Sequence, residues 1–261
     1  MTAVAKPLVY LFLGAPGSGR REIIADLIAD GLGDGDRAAV LLPEDEPGSP
    51  DDARLPGLAR WRWTEGMIAA DFPAGATHIF FVTAGARNPV DQVEAFKPWL
   101  QASGAELARI VCVVRCQLAE RHPALLAWYE ACVHFSDVIL LHRREGVENK
   151  WLSEFLGHFK KLHLPCLFEL VKEGRVKNPA LILEPQARRV SQVFDEEQDW
   201  IFTNEDGEEI DEDEITDDEE EEVSAAPAED PYFARRMGGR RVKEIPDVAN
   251  YLGTPPGGDG R

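Results

Sequence analysis

The sequence predicts an α/β domain on a mostly parallel sheet with helices on both faces, and three observations carry that prediction. Short apolar runs alternate with helical patterns through residues 1–194, the order expected when each strand returns through a helix. The first run, Leu8 to Leu13, leads directly into a glycine-rich turn and then a helical pattern. At Asp195 the composition changes: from there to Asp230 the chain holds 20 Asp or Glu residues and no Lys or Arg.

Each element follows from its pattern. Leu8–Leu13 is apolar throughout and suits a buried strand, while Ile23, Ile24, Leu27 and Ile28 fall on one face of a helix. Ala38 to Leu42 reads as a second strand, and Pro43 to Pro56, rich in Pro, Gly and acid, as a mobile surface loop. Leu58 to Trp63 alternates Arg60 and Arg62 with Trp61 and Trp63, which suits a half-buried strand or, alternatively, a partner surface. Thr77 to Val82 is a buried strand. Pro89 opens a helix to about Ser103, with Pro98 as a potential kink. A strand at Leu107–Val114, a helix at Leu118–Val133 and a strand at Ser136–Leu141 follow. Val147 to Leu162 carries a helical stripe of Trp151, Leu152, Phe155, Leu156 and Phe159, and Leu164–Leu170 suits an edge strand.

The formal charge of −19 belongs to one segment, since outside it 27 acidic residues face 28 basic ones. Residues 1–194 are therefore expected to form one near-neutral α/β domain, with 195–230 a disordered acidic linker. Residues 231–261 carry a basic and aromatic motif, Pro231 to Arg236 and Gly239 to Lys243, expected to be mostly disordered apart from one apolar turn at Val248–Leu252. That motif on its acidic leash is expected to meet a protein partner, or else to have no role. No nucleic-acid partner is expected. No apolar run approaches the ~18 residues of a membrane span, and no leader-like stretch precedes Leu8, so a cytoplasmic protein with free thiols is expected. Cys112 and Cys116 read as buried thiols, and His158, His163 and Cys166 as a weak metal candidate.

The chemistry concentrates in Gly14, Ala15, Pro16, Gly17, Ser18, Gly19, Arg20 and Arg21. Strand, glycine loop and helix are the setting of the phosphate-binding loop G-x-x-x-x-G-K-[ST]. Here Arg20 takes the Lys position and Arg21 the hydroxyl position. The glycines allow backbone N–H groups to converge on an anion at a helix N-terminus, and Arg20 keeps the positive charge with a bulkier, forked head. Arg21 removes the hydroxyl that holds Mg²⁺, so the pattern favours anion binding over Mg²⁺-assisted hydrolysis. A plain strand-to-helix turn without ligand is the alternative.

With that loop, three further pieces make residues 8–150 resemble the CobW-type metallochaperone GTPases, relatives of HypB and UreG. Phe80 to Val90 is similar to that family's strand ending in an E-T-T-G turn before a Pro-initiated helix. Ala108–Arg115 is similar to its next strand, and Phe135–Glu145 to the strand that ends in N-K-x-D. The resemblance implies a P-loop NTPase-like fold, ATP or GTP as ligand, and a base-side group at His142, Arg143 and Glu145. The chain departs from the family at Val82, where a magnesium-linked Glu is expected. It departs again at His142–Glu145, where Glu145 alone keeps a carboxylate for a guanine, and in lacking any Cys between residues 43 and 76 for a C-x-C-C motif. The resemblance thus implies a degenerate member, a pseudo-GTPase acting as a nucleotide- or phosphate-binding switch or assembly factor. A non-enzymatic interaction scaffold and an active NTPase or small-molecule kinase using Arg20 remain the alternatives.

Overall fold

The computed structural model describes residues 6–195 and 230–253, and between them only the backbone pairing of Phe202–Thr203 with Glu209–Ile210. In chain order the elements are β1 (Leu8–Leu13), α1 (Arg20–Gly31), β2 (Ala38–Pro43), β3 (Ala59–Thr64), β4 (Met67–Ala69), β5 (His78–Val82), α2 (Pro89–Ser103), β6 (Glu106–Arg115), α3 (Cys116–Arg121), α4 (Leu126–Phe135), β7 (Val138–His142), α5 (Asn149–Lys161), β8 (Leu167–Leu170) and α6 (Pro179–Leu183). Eight strands form one sheet in the order β4-β3-β2-β5-β1-β6-β7-β8. Every pairing is parallel except the β3–β4 hairpin.

Alternation along β1 divides the core. Val9, Leu11 and Leu13 join the cluster under α2, α4 and α5, while Tyr10 and Phe12 join the cluster under α1 and α6. The chain leaves β1 for β2 on one side and later crosses from β5 to β6 on the other. The winding reverses at β1, and such a reversal opens a crevice beyond the carboxyl ends of the strands. The glycine loop after β1 lies at that point.

Several elements differ from the sequence reading. The single helix expected over Leu118–Val133 is two, α3 and α4, joined by a 3-10 turn at Pro123–Leu125. Pro123 lacks an N–H and holds His122 extended, at φ −128° and ψ 82°, so the helix stops there. Pro98 is carried inside α2. The hairpin strand β4 and the short α6 were not legible as elements. The stretch expected to be a mobile loop, Pro43–Pro56, is built: β2 runs to Pro43 and a 3-10 turn spans Pro50–Arg54 behind a Ser49–Asp52 capping box.

The C-terminal motif also differs from expectation. Its described part packs on the domain: Tyr232 and Val248 are buried in the main core, and Phe233 stacks on Phe135. Arg241 reaches Asp91 and Glu94 of α2, and Asp230 accepts hydrogen bonds from Ser191 and His134. The apolar turn forms as a 3-10 turn, Val248–Tyr251. The rest of the acidic segment lies outside the described residues, apart from the short pairing above. Among the described residues no helix is long and apolar enough to cross a membrane.

Candidate functional site

The glycine loop adopts a backbone that its sequence makes possible. Gly14, Gly17 and Gly19 have φ of +147°, +72° and +89°, a region open to glycine at little cost. Gly14 is also crowded, since a Cβ there would lie 2.7 Å from the Val113 carbonyl oxygen. Gly19 is the N-cap of α1 and offers no side chain to cap it. The first-turn N–H groups of α1 therefore keep the partial positive charge that favours an anion. Ser18 is 1% exposed, and its Oγ has no hydrogen-bond partner among the described residues. Arg115 donates to Pro16 O at 3.1 Å, and a ring nitrogen of His142 bonds Ser18 O at 2.8 Å, so the loop carbonyls are tied from beneath.

Arg20 spends its guanidinium on the turn after β5 and on the stretch after β2. It is 5% exposed, and Nη1 donates to Thr83 O at 2.5 Å while Nη2 donates to Glu46 Oε1 at 2.5 Å. The same Glu46 oxygen accepts the Gly85 backbone N–H at 3.0 Å, and its Oε2 lies 3.3 Å from Arg21 Nη2. Arg21 Nη1 donates to Pro47 O and Asp52 Oδ1, each at 2.9 Å, and Arg60 holds the other Asp52 oxygen at 3.0 Å. Burial works to raise the Glu46 carboxyl, but Arg20, the Gly85 N–H and Arg21 outweigh it and hold the group below its ordinary value. The acidic stretch after β2 is thus ordered by the two arginines that depart from the phosphate-loop motif.

The end of β5 is closed by other groups. Val82 is fully buried, and its carbonyl accepts the Trp61 indole N–H at 2.8 Å. Thr83 Oγ1 donates to Phe12 O at 3.0 Å, and the Gln92 amide bridges Ala84 N and O. Trp61 is therefore a core residue on the inner face of β3, with Arg60 and Arg62 outside, as a half-buried strand requires.

The base-side candidates do not form one group. His142 is 2% exposed beneath the glycine loop, with Nε2 at 2.9 Å from Glu22 Oε1. Arg143, at φ +53°, donates to Glu22 Oε2 at 2.8 Å and lines the groove beside the loop. Glu145 is exposed, and only its carbonyl is engaged, by Gln117. Sequence reasoning missed Glu46 and Asp52; the signal was a pair of acids in a Pro/Gly-rich stretch of a chain whose loop carries two unexplained arginines.

Between the glycine loop and the stretch after β2 lies a groove of about 270 Å³, lined by residues 16–21, 46–49, Asp51 and Arg143. Its donors suit an anion. They do not suit the Mg²⁺ that the family resemblance implies: Arg21 puts a cation in place of the hydroxyl, Val82 is apolar and buried, and the Glu46 carboxylate in the groove is taken by Arg20, Arg21 and Gly85. Elsewhere among the described residues no group of three or more His, Cys, Asp or Glu is placed to hold a metal. His158 pairs with Glu130 at 2.7 Å, and all four cysteines are buried thiols, with burial pushing Cys116 up to about 12.

No protein-family model matches the chain, and no curated protein matches it. Among solved structures it is similar to the Zn(II)-bound YjiA GTPase from E. coli, at 12% identity over 71% of this chain and 67% of that one, with a TM-score of 0.42. It is also similar to the cell division protein FtsY from Thermotoga maritima, at 16% identity over 69% and 68% of the two chains, with a TM-score of 0.41. These are likenesses of fold alone.

Proposed function

We propose that this protein is a pseudo-GTPase: a phosphate- or nucleotide-binding switch or assembly factor with little or no hydrolysis. The observation that carries the reading is the contrast within residues 14–21. The backbone keeps three glycines at positive φ before an uncapped helix N-terminus, while the two side chains that normally serve phosphate and metal are arginines bound to Glu46 and Asp52. Such a loop retains the means to hold an anion and lacks the means to organise Mg²⁺ around it. ATP and GTP are the natural candidate ligands, and the groove residues Gly17 to Arg21 are the proposed contacts. The test is titration of the full chain with labelled ATP and GTP. Binding is expected, and Gly17→Val should abolish it, because the new side chain would branch 3.1 Å from the Arg115 guanidinium at a φ of +72°. Binding unaffected by Gly17→Val places the ligand elsewhere, and no binding removes the reading.

A further inference from the structure

Glu46 reaches into the groove from outside the loop motif, and its three contacts are the kind a terminal phosphate makes. One carboxylate oxygen takes a guanidinium and a backbone N–H, from Arg20 and Gly85, and the other takes Arg21. Anionic oxygens gathering charge-assisted donors in this way form strong hydrogen bonds. The side chain comes from a surface stretch that is tied at other points too: Pro47 O and Asp52 to Arg21, Pro43 O, Glu46 O and Asp52 to Arg60, Glu44 N to Trp61 O, and Asp45 to Arg87. Arg20, 4% exposed by its side chain with Glu46 in place, would lose its only acid partner among the described residues if that carboxylate were removed.

We infer that the Glu46 carboxylate is an internal stand-in for a ligand's terminal phosphate, and that the groove takes a metal-free di- or triphosphate that enters by displacing it. The inference rests on the anion-binding reading above and adds the regulation and ligand class of that site. Three observations define the class. The groove, at about 270 Å³, has room for a phosphate chain. The donors form two sets, the first-turn N–H groups of α1 and the Arg20, Arg21 and Gly85 group now on Glu46, which suits more than one phosphoryl group. His142 is buried and Arg143 is held by Glu22, so little is left to read a base. Metal is excluded by the donor set, because Arg20 and Arg21 supply the charge that Mg²⁺ otherwise brings.

The inference makes affinity depend on Glu46 with an inverted sign: losing a residue that lines the site should tighten binding. Isothermal titration of the full chain with tripolyphosphate, pyrophosphate, orthophosphate, ATP and GTP in EDTA measures this for the parent, Glu46→Ala and Glu46→Gln. Glu46→Ala should bind tripolyphosphate about tenfold tighter than the parent, the scale of one charge-assisted contact no longer competed for. Glu46→Gln, which keeps an acceptor but no charge, should fall between. ATP and GTP should bind alike, orthophosphate more weakly than pyrophosphate, and added Mg²⁺ should weaken every polyphosphate by sequestering it. Hydrogen exchange of residues 44–54 in the parent should speed up when tripolyphosphate is added, a change that a merely structural Glu46 would not produce. Equal affinity in parent and Glu46→Ala overturns the stand-in while leaving anion binding intact, as does tightening by Mg²⁺. Absence of phosphate binding in parent and variants alike overturns both.

Discussion

The turn after β1 and the turn after β5 touch one another, yet they depart from the phosphate-loop pattern in different ways. The first has the glycines of that pattern with different side chains; the second has a glycine, Gly85, and Val82 where the resemblance implies an acid. Packing explains what was kept. A Cβ at Gly14 would meet the Val113 carbonyl at 2.7 Å, and one at Gly85 would meet Gly14 O and Pro16 N at 2.8 Å each. These glycines are required by backbone crowding whether or not an anion binds. Side-chain charge is under no such constraint, and here it has been regrouped: Arg20 and Arg21 answer to Glu46 and Asp52 from the stretch after β2. Backbone geometry alone is therefore weak proof of a ligand, and the placement of charge is the sharper guide.

The largest effect expected from breaking this arrangement is on stability at Arg20. Arg20→Met removes the main partner of a carboxylate that is 16% exposed by its side chain. Stranding a buried charge costs about 3–5 kcal/mol, and Arg21 at 3.3 Å should keep the loss near the lower end. Denaturant unfolding measures it, and the double variant Arg20→Met with Glu46→Gln should recover part of the loss. A change below about 0.5 kcal/mol, the range of ordinary surface substitutions, would mean that the pair does not hold the two turns together.

Gly14→Ala comes next and separates crowding from backbone strain. It adds a Cβ against Val113 O, and overpacking of that kind costs about 1–3 kcal/mol. Gly146→Ala is the comparison: its φ is +80° with nothing within 4 Å of the added Cβ, so it should show only the strain of about 1–2 kcal/mol. Equal losses at both sites would remove the packing explanation for Gly14.

Much of this was legible in the sequence, and the exceptions have physical causes. Strand β1, helix α2 and the edge strand β8 follow from apolar runs and from a Pro-opened helix, signals confined to the segment itself. The hairpin strand β4 is three residues long and largely exposed, so it carries no such pattern. The order of residues 43–56 depends on Arg21 and Arg60, and the docking of 230–253 depends on Asp91 and Glu94 of α2. Pairings between residues so far apart leave no trace in local composition. The glycine loop was legible for the same local reason, whereas its electrostatic partner was not.

The smallest expected effect is on pH dependence. Because the folded protein holds Glu46 below its ordinary 4.5, its contribution is fully present above that range and is lost as pH falls through the folded value. Parent and Glu46→Gln should therefore differ in melting temperature at pH 7, with the gap closing in acid, below the ordinary 4.5, as the parent carboxyl takes up its proton. A gap that persists or widens in acid would show that the carboxylate charge is not what ties Arg20 and Arg21.

The most direct test of the central claim, that the anion-binding backbone survives without its catalytic chemistry, is phosphate release from ATP and GTP by the full chain, with and without Mg²⁺. The account predicts release indistinguishable from the protein-free control under every condition, far below the ~1–100 s⁻¹ of competent phosphoryl-transfer enzymes. Mg²⁺-dependent release that disappears in Gly19→Val, whose side chain would run into the His142 ring, would contradict it and identify a working enzyme.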